Sequence, residues 1–102
     1  MAVRLPIEVP REKLAEFCRK HRIRKLSFFG SVLREDFAPG SDVDVLVEFE
    51  SGAGVGLIAF AGIEIELSEL LGRKADLRTP AELSRYFRGE VLAEAVELYV
   101  QA

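Results

Sequence analysis

Two aspartates stand at the start of a strongly apolar segment, and this combination constrains the fold more than any other feature. Val43–Phe49 is rich in β-branched and aromatic residues, which predicts a β-strand. Asp42 and Asp44 are two residues apart at its beginning, so their side chains share one face, about 6–7 Å apart along the strand. Repulsion and desolvation make such a pair costly unless a divalent cation lies between the carboxylates.

The segments on either side of this strand alternate between helical and extended patterns. Helices are predicted over residues 11–21 and 57–71, and further strands over residues 23–29 and 74–78. A short helical turn is predicted after Gly30, followed by a loop that contains a Pro-Gly pair. The helix over residues 57–71 has apolar residues on more than one face, so we expect it to pack on the sheet and on a partner together, or to be buried on two sides. This apolar pattern is compatible with a homo-oligomer and with a hetero-oligomer.

The C-terminal part of the chain is predicted to be helical. Thr79-Pro80-Ala81-Glu82 has the cap hydroxyl, first-turn proline and acidic residue of a capping box. A last helix is expected after Gly89, with Val91, Leu92, Ala95, Val96 and Tyr99 on one stripe. The predicted fold is therefore α/β, a small mixed β-sheet flanked by helices, in one domain over residues 1–102.

Length and composition exclude several classes of protein. The chain has 102 residues and a formal net charge of −3, which fits one small domain and argues against a nucleic-acid coat protein. No stable nucleic-acid partner is therefore expected. No apolar run reaches the ~18 residues of a membrane span, and the N-terminus lacks an apolar signal region. A lone cysteine, Cys18, cannot form an internal disulfide, so we expect a cytoplasmic protein.

A third carboxylate is expected near the first two. Asp76 lies in the last predicted strand, where it could lie beside Asp44. Mg²⁺ takes one or two carboxylates and fills its shell with waters and substrate phosphate oxygens. Carboxylates that flank Mg²⁺ suit phosphoryl or nucleotidyl transfer, with Asp76 also placed to help take a proton from the attacking hydroxyl.

A phosphate site is predicted at the end of the first strand. Gly30 lets the backbone approach a phosphate closely, and the helical turn after it offers N–H donors to an anion. The Ser31 hydroxyl can donate one further hydrogen bond, and Arg34 could reach the same phosphates.

The order Gly-Ser, ten residues, Asp-x-Asp and a later Asp resembles the signature of the DNA polymerase β-like nucleotidyltransferase superfamily. The small size resembles its minimal nucleotidyltransferase branch, the antitoxin partners of HEPN toxins. The resemblance implies that Gly30 and Ser31 contact the nucleotide phosphates and that Asp42, Asp44 and Asp76 form the catalytic metal site. Many relatives have Arg-Gly after the Gly-Ser turn, whereas this chain has Arg34-Glu35, which leaves the role of Arg34 open.

The resemblance implies an activity and a partner. We expect Mg²⁺-dependent transfer of AMP from ATP to a tyrosine of a HEPN toxin, which would block the toxin sterically and by charge. Two alternatives stay open: an antitoxin that neutralises its toxin by binding alone, and a subunit that modifies a small molecule such as an aminoglycoside.

Overall fold

The computed structural model describes residues 9–33 and 42–101, with only the backbone of Ser31 and Val32. The helices are α1 (Arg11–Lys20), α2 (Leu57–Leu71) and α3 (Arg88–Glu94). The strands are β1 (Ile23–Phe29), β2 (Val43–Phe49), β3 (Ala75–Arg78) and β4 (Val96–Val100). Short 3₁₀ turns cover Gly30–Leu33 and Pro80–Glu82. The loop predicted over residues 36–41 lies outside the described residues.

The strands form one mixed sheet in the order β3-β2-β1-β4. β1 pairs antiparallel with β2 and with β4, and β2 pairs parallel with β3. The parallel pair is joined through α2, because parallel neighbours need a long crossover connection. The mixed sheet flanked by helices confirms the predicted fold class.

The core lies between the two longer helices and one face of the sheet. Val43, Val45 and Val47 alternate along β2 and are fully buried, whereas Asp44 and Glu48 point to the opposite face and are only partly buried. The helices complete this core with the buried residues Leu14, Phe17, Cys18, Ile63, Leu67 and Leu71. The carboxylate of Asp44 therefore lies on the face of β2 turned away from the main core.

Helix α2 buries one face and exposes the other. Ile63 and Leu67 pack into the core, while Leu57 and Ile58 are 90% and 92% exposed and Ile65 is 61% exposed. The prediction that α2 is buried on two sides is therefore wrong for the chain by itself. The helix ends at Gly72, whose φ of +69° is the left-handed conformation that a Gly C-cap provides.

The C-terminal segment corrects one prediction. A short helix, α3, is present, but Val96–Val100 is a strand and not the continuation of that helix. Val96 and Tyr99 fit a helical stripe by spacing, yet both pair with β1, opposite Phe28 and Leu26. β4 thereby hydrogen-bonds the edge of β1 that β2 does not cover. Because β4 is distant from β1 in the sequence, no local residue pattern predicts this pairing.

Side chains of α2 hydrogen-bond the outer edge of β3. The backbone N–H of Ala75 donates to the Ser68 hydroxyl (2.9 Å), and that of Leu77 donates to the Glu64 carboxylate (2.8 Å). Both backbone donors of this edge strand are thus satisfied without another strand. None of the helices in the described part of the chain is long and apolar enough to span a membrane.

Candidate active site

Two of the three predicted carboxylates are paired across neighbouring strands. Asp44 of β2 lies directly opposite Asp76 of β3 in the parallel register. Residues opposite one another in a sheet project from the same face, with their Cβ atoms a few ångströms apart. Residues 32 positions apart in the sequence therefore meet at one place.

The Gly30 turn supports the Asp44 carboxylate from the other side. Phe29, the last residue of β1, pairs with Asp44, and Gly30 follows with a φ of +72°. A Cβ atom built on Gly30 would overlap the Oδ2 atom of Asp44. The missing side chain thus makes a cradle in which the carboxylate lies against the turn, and any other residue would fill it.

Asp42 lies just before β2, as the predicted bounds of that strand imply. Its side chain is 50% exposed, and its Oδ2 atom is 3.9 Å from Nζ of Lys74. The neighbouring backbone is fixed, because the N–H of Val43 donates to the carbonyl of Lys74 (2.8 Å). Asp42 therefore presents a half-exposed carboxylate at the start of β2, two residues before Asp44.

Arg78 is a site residue that the sequence analysis missed. Its guanidinium contacts both carboxylate oxygens of Asp76 at 3.3 Å, from Nε and from Nη2. The hydrogen bond and the charge of Asp76 raise the pKa of Arg78, with smaller contributions from the charges of Glu82 and then Asp44. The signal was available in principle, because Asp76 and Arg78 are two apart on one strand and so share a face.

The donor set fits a hard divalent cation in part. Within residues 9–33 and 42–101, no three acidic, histidine or cysteine side chains converge as a complete metal site. Mg²⁺ needs only one or two carboxylates when substrate phosphates and waters supply its other oxygens. The cradled Asp44 and the adjacent Asp42 are oxygen donors of that kind, whereas Asp76 faces Arg78.

The remaining predicted phosphate ligands are only partly described. Gly30 and the backbone of Ser31 lie in the 3₁₀ turn that directly follows β1. The side chain of Ser31, and Arg34 altogether, lie outside the described residues. Their predicted contacts with phosphate stay predictions.

Cys18 is remote from this chemistry. It is fully buried among the core residues of α1, and burial raises the pKa of its thiol to about 12. Such a thiol stays protonated at neutral pH and is a packing residue rather than a nucleophile.

Comparison with known proteins links this geometry to one family. The nucleotidyltransferase domain family matches residues 11–98 of the chain. A relative in Methanocaldococcus jannaschii, named as a candidate protein adenylyltransferase (MJ0435), is 33% identical over 86% of this chain and 92% of its own length. The protein adenylyltransferase MntA of Thermococcus cleftensis is 35% identical over 79% of this chain and 80% of its own length.

Solved structures agree with the fold. One, described as a candidate minimal nucleotidyltransferase, is 35% identical, has a TM-score of 0.69, and covers 84% of this chain and 86% of its own. Another contains a tri-AMPylated Shewanella oneidensis HEPN toxin in complex with an MNT antitoxin; it matches at 19% identity and a TM-score of 0.63, over 89% of this chain and 70% of its own. At that identity the second likeness shows the fold alone.

Proposed function

Since the chain belongs to the nucleotidyltransferase domain family, we propose that it transfers AMP from ATP to a tyrosine hydroxyl of a HEPN toxin and so acts as its antitoxin. The observation that carries this proposal is the pairing of Asp44 with Asp76 beside the Gly30 turn. Two relatives named for protein adenylyltransferase activity support the reaction. The HEPN toxin complex supports the choice of partner.

In this reaction Asp42 and Asp44 would hold Mg²⁺, with Asp76 as a further predicted ligand. When bound, the cation neutralises the triphosphate and polarises the phosphate oxygen at which charge develops. The backbone N–H groups of the Gly30–Leu33 turn, the Ser31 hydroxyl and Arg34 bind the phosphates that leave as pyrophosphate.

Asp76 acts on the acceptor. It takes the proton of the tyrosine hydroxyl while the phenolic oxygen forms a bond to the α-phosphorus of ATP. The bond from the α-phosphorus to the bridging oxygen breaks, and pyrophosphate leaves with that electron pair. Arg78 orients the Asp76 carboxylate by its two contacts and is expected to offset part of the charge of the acidic cluster.

The location and partners follow from the same proposal. A cytoplasmic antitoxin would meet ATP, Mg²⁺ and its toxin in one compartment. In this proposal the partner protein supplies the tyrosine, as the names of the protein adenylyltransferase relatives suggest.

The proposal is tested by measuring the mass of a purified HEPN toxin before and after incubation with this chain. Incubation with the wild-type chain, ATP and Mg²⁺ should add one or more AMP units to the toxin. The double variant Asp42→Asn with Asp44→Asn should add none. Glu48→Gln is the matched control, since Glu48 lies on the same strand and face but pairs with Arg24 (2.7 Å) away from the site. A toxin of unchanged mass after incubation with the wild-type chain would contradict the proposal.

A second function, neutralisation by binding alone, is favoured by one observation. Leu57, Ile58 and Ile65 give α2 an exposed apolar face that could cover a partner protein. If the double variant protects cells from the toxin at normal dose and the toxin carries no AMP, the binding function is correct and the enzymatic one is wrong.

A further inference from the structure

A cavity of about 300 Å³ opens beside the Gly30 turn, on the side away from β3. Its lining residues are Phe29, Gly30, Phe87, Glu90, Val91 and Glu94. Such a volume is at the lower end of what small-molecule sites occupy. Because Gly30 also touches the Asp44 carboxylate, the cavity and the acidic cluster share one wall.

One face of α3 forms the opposite wall. Phe87, Glu90, Val91 and Glu94 are spaced i, i+3, i+4 and i+7, which places them on a single face of the helix. Phe87 is 61% exposed, so most of its ring is accessible to a ligand rather than packed in the core. The wall thus combines an accessible aromatic ring with two carboxylates.

These side chains select the kind of ligand. Carboxylates accept hydrogen bonds, and their negative charge repels phosphate groups. An accessible aromatic ring stacks on flat heterocycles. The wall therefore suits an uncharged group with a flat ring and N–H or O–H donors, whose charged part lies elsewhere. A nucleoside has these properties, and its phosphates would then extend toward Gly30.

The position of the cavity argues against the acceptor as its occupant. The acceptor hydroxyl must reach Asp76, which lies on β3 at one edge of the sheet. The cavity is bounded by the end of β1 and by α3, which leads directly into β4 at the other edge. We infer that the nucleoside end of ATP binds here. The base stacks on Phe87, and Glu90 and Glu94 accept hydrogen bonds from the ribose hydroxyls or the base amino group. This inference rests on the proposed function.

Tryptophan fluorescence tests the inference without measuring catalysis. The chain has no tryptophan, so Phe87→Trp introduces a single reporter at the cavity. Tyr86→Trp is the matched control, because Tyr86 is the adjacent residue, is 79% exposed, and does not line the cavity. ATP with Mg²⁺ should quench Phe87→Trp and leave Tyr86→Trp nearly unchanged, whereas inorganic tripolyphosphate should quench neither.

Equal responses of the two tryptophan variants to ATP, or quenching of Phe87→Trp by tripolyphosphate, would overturn the inference. If ATP changes neither variant while the wild-type chain still adds AMP to the toxin, the nucleoside site is wrong and the proposed function stands. If ATP changes neither variant and the toxin never gains AMP, both are wrong.

Kinetics give a second and independent readout. Phe87→Ala should raise the KM for ATP about tenfold, the scale of one lost base stack, with kcat changed much less. Phe87→Tyr keeps the ring and should restore the KM. Glu90→Gln should reduce the preference for ATP over 2′-deoxy-ATP if Glu90 binds the ribose, and leave that preference unchanged if it binds the base. A normal KM in Phe87→Ala would contradict the inference.

Discussion

At the scale of single residues, the geometry of the site depends most directly on Gly30. The position requires two properties at once: a φ of +72°, and space for the Asp44 carboxylate where a Cβ would stand. A residue with a side chain would be strained at this φ, and its Cβ atom would also displace the Asp44 carboxylate. The glycine of the Gly-Ser pair is thus explained by its backbone conformation and by the Asp44 carboxylate, before any nucleotide binds.

Gly30→Ala should therefore separate two effects when it is compared with Gly52→Ala. Gly52 has a similar φ of +78° but has nothing within 4 Å of its Cβ position. Each variant should lose about 1–2 kcal/mol of unfolding free energy from the backbone, measured by urea denaturation. Only Gly30→Ala should also lose AMP transfer, by at least about tenfold, because it moves Asp44. Equal transfer rates in the two variants would show that the cradle has no role.

Cys18 yields a prediction about pH. Because burial raises its pKa to about 12, thiol reagents at pH 8 should label the unfolded chain but not the folded one. The folded state keeps the proton while the unfolded thiol loses it above about pH 9. Ionisation of this thiol in the unfolded chain therefore lowers the free energy of unfolding as the pH rises from about 9 to about 12. Rapid labelling of the native protein at pH 8 would contradict this burial.

At the scale of secondary-structure elements, most of the fold was predictable because it is encoded locally. The strands Ile23–Phe29 and Val43–Phe49 and the helix Leu57–Leu71 match their predicted bounds. β4 was mispredicted, since its spacing suits a helix or a strand and its pairing partner is about 70 residues away. The local spacing of apolar residues cannot distinguish a helix from a strand when a distant strand supplies the hydrogen bonds.

The candidate site was predictable to the same extent. Asp42 and Asp44 are recognisable from their spacing, and the predicted place of Asp76 beside Asp44 matches the strand register. The Arg78 contact and the cavity beside α3 were not found, because the cavity requires α3, which is distant in sequence, to meet the end of β1. Asp76 and Arg78 are two residues apart on β3, so their side chains lie on the same face of the strand. The sequence prediction used this alternation only for the acidic residues.

The edge strand β3 gives a prediction at this scale. Glu64→Ala and Ser68→Ala each remove the acceptor of one β3 backbone N–H group. Each should cost about 1–3 kcal/mol of unfolding free energy, the penalty of an unpaired buried donor, and should lower AMP transfer because β3 carries Asp76. Glu69→Ala, at an exposed position on the same helix, should stay within about 0.5 kcal/mol of wild type. Denaturation and transfer assays on the three variants measure both effects. Wild-type stability in Glu64→Ala and Ser68→Ala would show that α2 does not hold β3.

At the scale of the whole molecule, the sheet order distributes the proposed reaction along one edge of strand ends. β3 carries the group proposed to act on the acceptor, β2 the groups proposed to hold the cation, and the end of β1 the turn proposed for the phosphates. The cavity beside α3 continues this row on the other side of the turn. In this arrangement the acceptor approaches from the β3 side and the nucleoside lies on the β4 side.

Position-specific labelling of ATP shows which phosphorus atom is transferred to the toxin. The chain and its HEPN toxin are incubated with Mg²⁺ and with ATP labelled at either the α- or the γ-phosphorus. The α-label should become covalently attached to the toxin, the γ-label should be released as pyrophosphate, and Asp42→Asn with Asp44→Asn should abolish attachment. Attachment of the γ-label, or equal attachment of the α-label by the double variant, would contradict nucleotidyl transfer at this carboxylate site.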